Sequence, residues 1–219
     1  MAAKKKQAPI LQLLDVMARL RAPDGCPWDK EQDHMTLRLH AVEEVYELID
    51  AIEARDDHEM AEELGDVLLQ VVFHCQLARE RGVFDFDRVT QTLVDKLIRR
   101  HPHVFGDVKV KNVDQVWVNW EPIKKSEKAG TKHERPSVLD GIPRHLPSLL
   151  RAEKLVKKAR KSGLLPKPVK ARINKVDVAR QLFDLTAAAQ AAGISAEALL
   201  RAETRRRERA FRKAETSRG

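Results

Sequence analysis

The chain has 219 residues, 42% hydrophobic and only 5% aromatic, with 41 Lys and Arg against 33 Asp and Glu for a formal charge of +8. That length and apolar share suffice for one large domain or two small ones and exclude a disordered chain, while no apolar run is long enough to span a bilayer. Leu, Ala, Glu, Lys and Arg dominate and period-two alternation is nearly absent, so an all-α fold is predicted.

Leu11, Leu14 and Ala18 mark one face of a first helix from about Pro9 to Arg21, which APDGCP then breaks. Asp29, with Gln32 as its capping-box partner, predicts a helix that continues through Ile52 to about Arg55. After the polar turn ARDDH, the residues Met60, Leu64, Val67, Leu68, Val71 and Cys75 trace a second apolar stripe to about Arg79, making a helical hairpin. Asp85 or Asp87 caps a helix through Arg100, HPHVFG ends it, and Asn112 caps another reaching Lys125. The polar stretch 124–137 reads as a linker, dividing the chain into domains at 1–123 and 138–219. Beyond it lie helices over Leu146–Lys161 and Val176–Ala192 around the breaker LLPKPVK, and a basic one from about Ser195.

Cys26 and Cys75 have neither CxxC nor zinc spacing and read as buried thiols in a reducing compartment. The opening MAAKKKQAP is not followed by a signal-type apolar core, so a cytoplasmic protein without membrane attachment is expected.

Charge is unevenly placed. From Leu39 to Ala78 there are 11 acids against the single base Arg55, a net −10, which leaves 40 bases and 22 acids, +18, for the rest of the chain. Within that acidic span EEVYE at 43–47 is matched by EELGD at 62–66, each two acids, two spacers and an acid. Glu44 and Glu47 share one helix face, as do Glu63 and Asp66, and in an antiparallel hairpin the two pairs can face one another. Four carboxylates without counter-ions repel, and a hard divalent ion relieves them; oxygen-only ligation favours Mg²⁺ or Mn²⁺ over zinc. The competing reading is a solvated acidic face. Gly65 inside the second motif suggests close helix approach.

Lys96 and Arg100, four apart, suit a phosphate chain, but on spacing alone they read as a solvated helix end. Trp120 and Lys124 could stack on a base and contact phosphate, although Trp117 and Trp120 read equally as core aromatics. His101 and His103 flank Pro102 at a helix end and read as a turn.

GCPWDKEQ, EEVYELIDAI, EELGDVLLQVVF, FDFDRV, DKLIRRHPHVFGD and WEPIKKSE occur in that order over most of residues 9–128, and together they closely resemble the MazG family of nucleoside triphosphate pyrophosphohydrolases. The resemblance implies an all-α helical bundle whose hairpin presents carboxylates to Mg²⁺, usually in a homodimer, with NTP and water giving NMP and pyrophosphate as nucleotide-pool house-cleaning. By motif it implies Glu44, Glu47, Glu63 and Asp66 as metal ligands, Glu43 or Glu62 as the group orienting the attacking water, and Lys96, Arg100, Trp120 and Lys124 as nucleotide contacts. One departure is Glu59, where some family members have a lysine.

Long members contain two copies, and residues 138–219 read as a shortened, degenerate second copy. Sliding EELGDVLLQ along them gives VDVARQLFD at 176–184, where Asp177 stands for Glu63 and Arg180 for Asp66. Lys124 to Gly219 holds 25 bases and 10 acids, which makes nucleic acid a candidate partner. The alternatives to a broad NTP pyrophosphohydrolase are a narrower dUTP- or dCTP-type nucleotidase and a non-enzymatic nucleic-acid-binding or regulatory protein.

Overall fold

A computed structural model describes residues 7–166 and 174–217, and it contains ten α-helices and no strand among them. The opening MAAKKK and Lys167–Lys170 of the breaker lie outside the described residues. The all-α class expected from composition is what the chain adopts. It divides into two compact units, Met1–Val110 and Lys111–Gly219.

In the first unit α1 (Pro9–Leu20) starts on Pro9 at N1 and buries Met17. The long helix expected from Asp29 to Arg55 is instead two helices, α2 (Pro27–Glu31) and α3 (His40–Ala54), separated by turns. Two local facts break it. Asp33 Oδ1 accepts from the amides of Met35 and Thr36 at 2.7 and 2.8 Å, holding a side-chain-capped turn. Arg21 Nη1 donates to the Gln32 carbonyl at 3.2 Å and also to the Asp29 carbonyl, so these acceptors at the end of α2 are already engaged. Gln32 donates its side-chain amide to the Trp28 carbonyl rather than closing a capping box on Asp29. The break lets Leu37 turn inward, where it is 1% exposed.

The hairpin follows. α3 ends on Arg55 in the left-handed conformation (φ 57°), and Asp56 caps α4 (Asp57–Glu80) by accepting from the amides of His58 and Glu59. With two residues between them, α3 and α4 run antiparallel. α4 ends in a Schellman-type turn, with Gly82 at φ 66° and the Val83 amide donating to Ala78 O at 3.0 Å. Met17, Leu37, Val72, Phe73 and Leu77 form the core, flanked by Leu13, Leu14, Leu69 and Phe86. Each such side chain contributes roughly 1.5–3 kcal/mol on burial. Arg21 Nε and Nη2 each reach the Glu80 carboxylate at 2.7 Å, tying the end of α1 to the end of α4. α5 (Phe86–Arg100) is capped by Asp85, and α6 (Pro102–Phe105) is a single turn.

Among the described residues of this unit, much of the hairpin's apolar stripe is not core. Val42, Val45, Ile49 and Ile52 of α3 and Leu64, Leu68 and Val71 of α4 are between 37% and 52% exposed. Gly65 also departs from expectation: a Cβ built there meets nothing within 4 Å, so no helix approaches it closely.

The second unit contains α7 (Val113–Ser126), α8 (Ser148–Lys161), α9 (Lys175–Ala191) and α10 (Ala196–Thr216). Asn112, Asn174 and Ser195 cap α7, α9 and α10 through side-chain oxygens. α8 packs on α10 over Leu139, Leu155 and Ala159, with Ile142, Leu164, Leu165 and Phe211 around them. No helix among the described residues is long and apolar enough to cross a membrane.

Candidate metal centre

α3 and α4 bring three of the expected carboxylates together. One oxygen from each of Glu44, Glu63 and Asp66 lies within 4.8 Å of the other two, and all three side chains are half-buried. The helical period produces this directly, since Glu63 and Asp66 stand three apart on α4 and face Glu44 across the hairpin. Glu47 is exposed and stands outside that tight group, yet it is near enough to repel both Glu44 and Glu63.

The electrostatics of the group follow from its burial and its like charges. Burial raises the Glu44 carboxyl above its ordinary pKa, and the charges of Asp66 and Glu47 push it the same way. Burial likewise raises Glu63, followed by repulsion from Glu47, Asp66, Glu44 and Glu62. Glu63 Oε2 is buried with no hydrogen-bond partner among the described residues. An orphaned carboxylate oxygen beside two other carboxylates is costly unless protonated or ligated, and a donor set made only of oxygens fits a hard dication.

One polar residue at this site has no counterpart in the sequence reading. Gln70 is 8% exposed on α4, and its Nε2 donates to Glu44 Oε1 at 3.4 Å. The signal for it was present: position 70 follows Glu63 and Asp66 at spacings of seven and four, on the same helix face.

The remaining expected residues are placed as follows. Glu43 and Glu62 are exposed on α3 and α4, with Glu43 beside His40 at 3.3 Å and Glu62 grouped with His58 and Glu59. Lys96 and Arg100 are half-buried on α5 in the first unit. Trp120 and Lys124 are half-buried on α7 in the second unit, where the Trp120 ring lies 6.3 Å from that of Trp117. His101 caps α6 and its Nδ1 pairs with Leu97 O at 2.7 Å, consistent with a turn. Cys26 and Cys75 are both free thiols, and burial raises the Cys75 thiol.

On α9 the stretch aligned with the second acidic motif is electrically different. Arg180 Nη2 donates to Asp177 Oδ1 at 2.7 Å, so the remaining acid is already neutralised.

Residues 32–105 match the family model described as the MazG nucleotide pyrophosphohydrolase domain. Over 153 residues the chain is 48% identical to a nucleoside triphosphate pyrophosphohydrolase of Escherichia coli strain K12, covering 69% of this chain and 57% of that one. It is 49% identical over 142 residues to the Bacillus subtilis protein YabN, covering 65% of this chain and 28% of that one. A 26.1 kDa protein encoded in the blaB 3′ region of Streptomyces cacaoi is 43% identical over 197 residues, covering 89% of this chain and 78% of the other. The chain thus spans about half or less of the Escherichia coli and Bacillus relatives but most of the Streptomyces one.

Proposed function

Because this chain belongs to the MazG nucleotide pyrophosphohydrolase family, we propose that it is an enzyme that hydrolyses nucleoside triphosphates, ribose or deoxyribose, to the monophosphate and pyrophosphate in nucleotide-pool house-cleaning. The observation that supports this most is the convergence of Glu44, Glu63 and Asp66 around a buried, partnerless Glu63 oxygen. These three, joined by Glu47, would hold Mg²⁺, with Mn²⁺ as the substitute. The bound ion would supply neutralisation of the phosphate oxygens.

The protein's own groups do the rest. Glu43 or Glu62, each exposed and next in sequence to one of the proposed ligands, orients the attacking water and accepts its proton. Lys96 and Arg100 bind phosphate oxygens, Trp120 stacks on the base, and Lys124 contacts phosphate. Pyrophosphate leaves as water oxygen bonds to the α-phosphorus.

The working species is a homodimer. The exposed aliphatic faces of α3 and α4 adjoin the acidic centre along the same two helices, and a second copy would cover them. The compartment is the cytoplasm.

The experiment is a panel of NTPs and dNTPs with and without Mg²⁺, following pyrophosphate release. Release must need the divalent ion and must vanish in Glu44→Ala and Asp66→Ala. Full activity in both variants refutes the ligand assignment, and turnover of only dUTP or dCTP replaces the broad hydrolase by a narrow one. Absence of any release, alongside a salt-sensitive shift of RNA or DNA, would favour a non-enzymatic nucleic-acid-binding protein.

A further inference from the structure

The second unit contains a cleft of ≈ 680 Å³ between α8, α10 and the loop before α8, and arginines dominate its lining. Arg144, Arg151, Arg205, Arg209 and Arg212 face Asp140 and Glu208, leaving three positive charges in excess. Such a concentration is unusual for a purely structural network, so the partners of each guanidinium decide what the cleft is for.

Two of the five are occupied. Arg212 Nη1 donates to Asp140 Oδ1 at 2.8 Å, and its Nη2 donates to Glu208 Oε1 at 2.8 Å. Arg151 is 5% exposed, and its Nη2 donates to Glu208 Oε2. Its Nε and Nη1, however, are buried with no acceptor among the described residues. Leaving a charged donor buried and unpaired is costly, a cost that a purely structural Arg–Glu pair would avoid by facing a second acceptor.

On α10 the contrast between neighbours is informative. Arg201 pairs with Glu197, and Arg206 and Arg207 both pair with Glu203. Arg205 and Arg209, one helical turn apart and lining the cleft, make no ion pair among the described residues. The neighbouring arginines of α10 are therefore paired with acids, whereas the two that line the cleft are not. Lys158 Nζ fixes the facing loop by donating to Val138 O at 3.1 Å and Asp140 O at 2.7 Å.

We propose that this cleft binds an oligophosphate anion, free or carried on a nucleoside, through Arg151, Arg205 and Arg209, without a metal ion. Guanidinium forks match phosphate oxygens in pairs, three excess charges suit a di- or triphosphate, and a cleft of this volume accommodates a nucleotide-sized ligand. The site is built from residues of the second unit alone and does not depend on the catalytic reading.

The test is calorimetric titration of the full chain with sodium pyrophosphate and with ADP, in EDTA at low and high salt. Both ligands should bind, more weakly as salt rises, and the double variant Arg205→Gln, Arg209→Gln should weaken binding at least tenfold with its helix content unchanged. Tighter binding of ADP assigns contacts to the nucleoside, whereas equal affinity assigns the site to the phosphates alone, and either supports the proposal. Arg151→Gln should act in the same direction, but it also opens a buried ion pair, so the exposed double variant decides. No binding of either ligand, or unchanged affinity in the double variant, overturns it.

Discussion

Gln70 donates its side-chain amide to Glu44 across the hairpin, from a position on α4 that is almost fully buried. The amide meets one carboxylate oxygen of Glu44 and favours its ionised form, while burial, Asp66 and Glu47 act against ionisation. If Glu44 ligates the metal, Gln70 is a positioning residue of the kind whose loss costs about 10–100-fold in metal affinity. Gln70→Ala should weaken Mn²⁺ binding by that order, read by calorimetry, with the hairpin still helical by circular dichroism.

The raised carboxyls make metal-free stability depend on pH in a definite sense. Glu44 and Glu63 bind protons more readily folded than unfolded, so below their ordinary value both states are protonated, and stability falls as pH rises through the raised folded values. Added Mg²⁺ should reverse this by stabilising the ionised set, raising the melting temperature at pH 7 much more than near pH 4.5. Glu63→Gln should raise the metal-free melting temperature at pH 7 and diminish the increment from Mg²⁺.

His34 and His74 point in the opposite direction on the pH axis. Their Nδ1 atoms lie 2.8 Å apart in stacked rings, and burial, helped by the His34 charge, lowers the His74 pKa. A histidine with a lowered folded pKa contributes stability above the unfolded value near 6.5, and that contribution is lost as pH falls below it. Comparing melting temperatures from pH 7.5 to 5.5, the chain should lose stability more steeply than His74→Gln.

Gly65 sits inside α4 with open space where a Cβ would stand. Alanine there should stabilise the helix by about 0.4–1 kcal/mol, because it reduces the freedom of the unfolded chain without a clash. Urea unfolding monitored by circular dichroism measures this, and a destabilised Gly65→Ala would mean that another surface approaches the position in the working assembly.

The aliphatic faces of α3 and α4 give the last prediction. Ile49 and Ile52 are 41% and 52% exposed on one chain. Should a second copy cover them, Ile49→Arg with Ile52→Arg converts a dimer to a monomer in light scattering after size exclusion.

Much of the helical scaffold could be read along the chain because helix periodicity and capping are local. Asp85 and Asn112 cap helices as expected from the sequence, Asp56 and Ser195 cap two more, and the repeat of EEVYE in EELGD gave the hairpin its acids. Of the break after Gln32 only the Asp33 turn is a local feature. The other part is Arg21 reaching carbonyls 8 and 11 residues away, and no local pattern marks that reach. The apolar faces Val42–Ile52 and Leu64–Val71 follow from periodicity, but periodicity does not say what covers a face, and on this chain both are part-exposed.

The sequence by itself determined most of the helices, where an acid pair recurs and where basic charge accumulates, because each follows from spacing over a few turns. Only the tertiary structure decided that Glu44, Glu63 and Asp66 meet while Glu47 stays outside, that Gln70 supports them, and that Arg151 is buried with two donors unpaired. Those facts arise from how one helix packs on another, and burial is what makes the repulsion within a row of like charges costly where a hydrated surface would screen it.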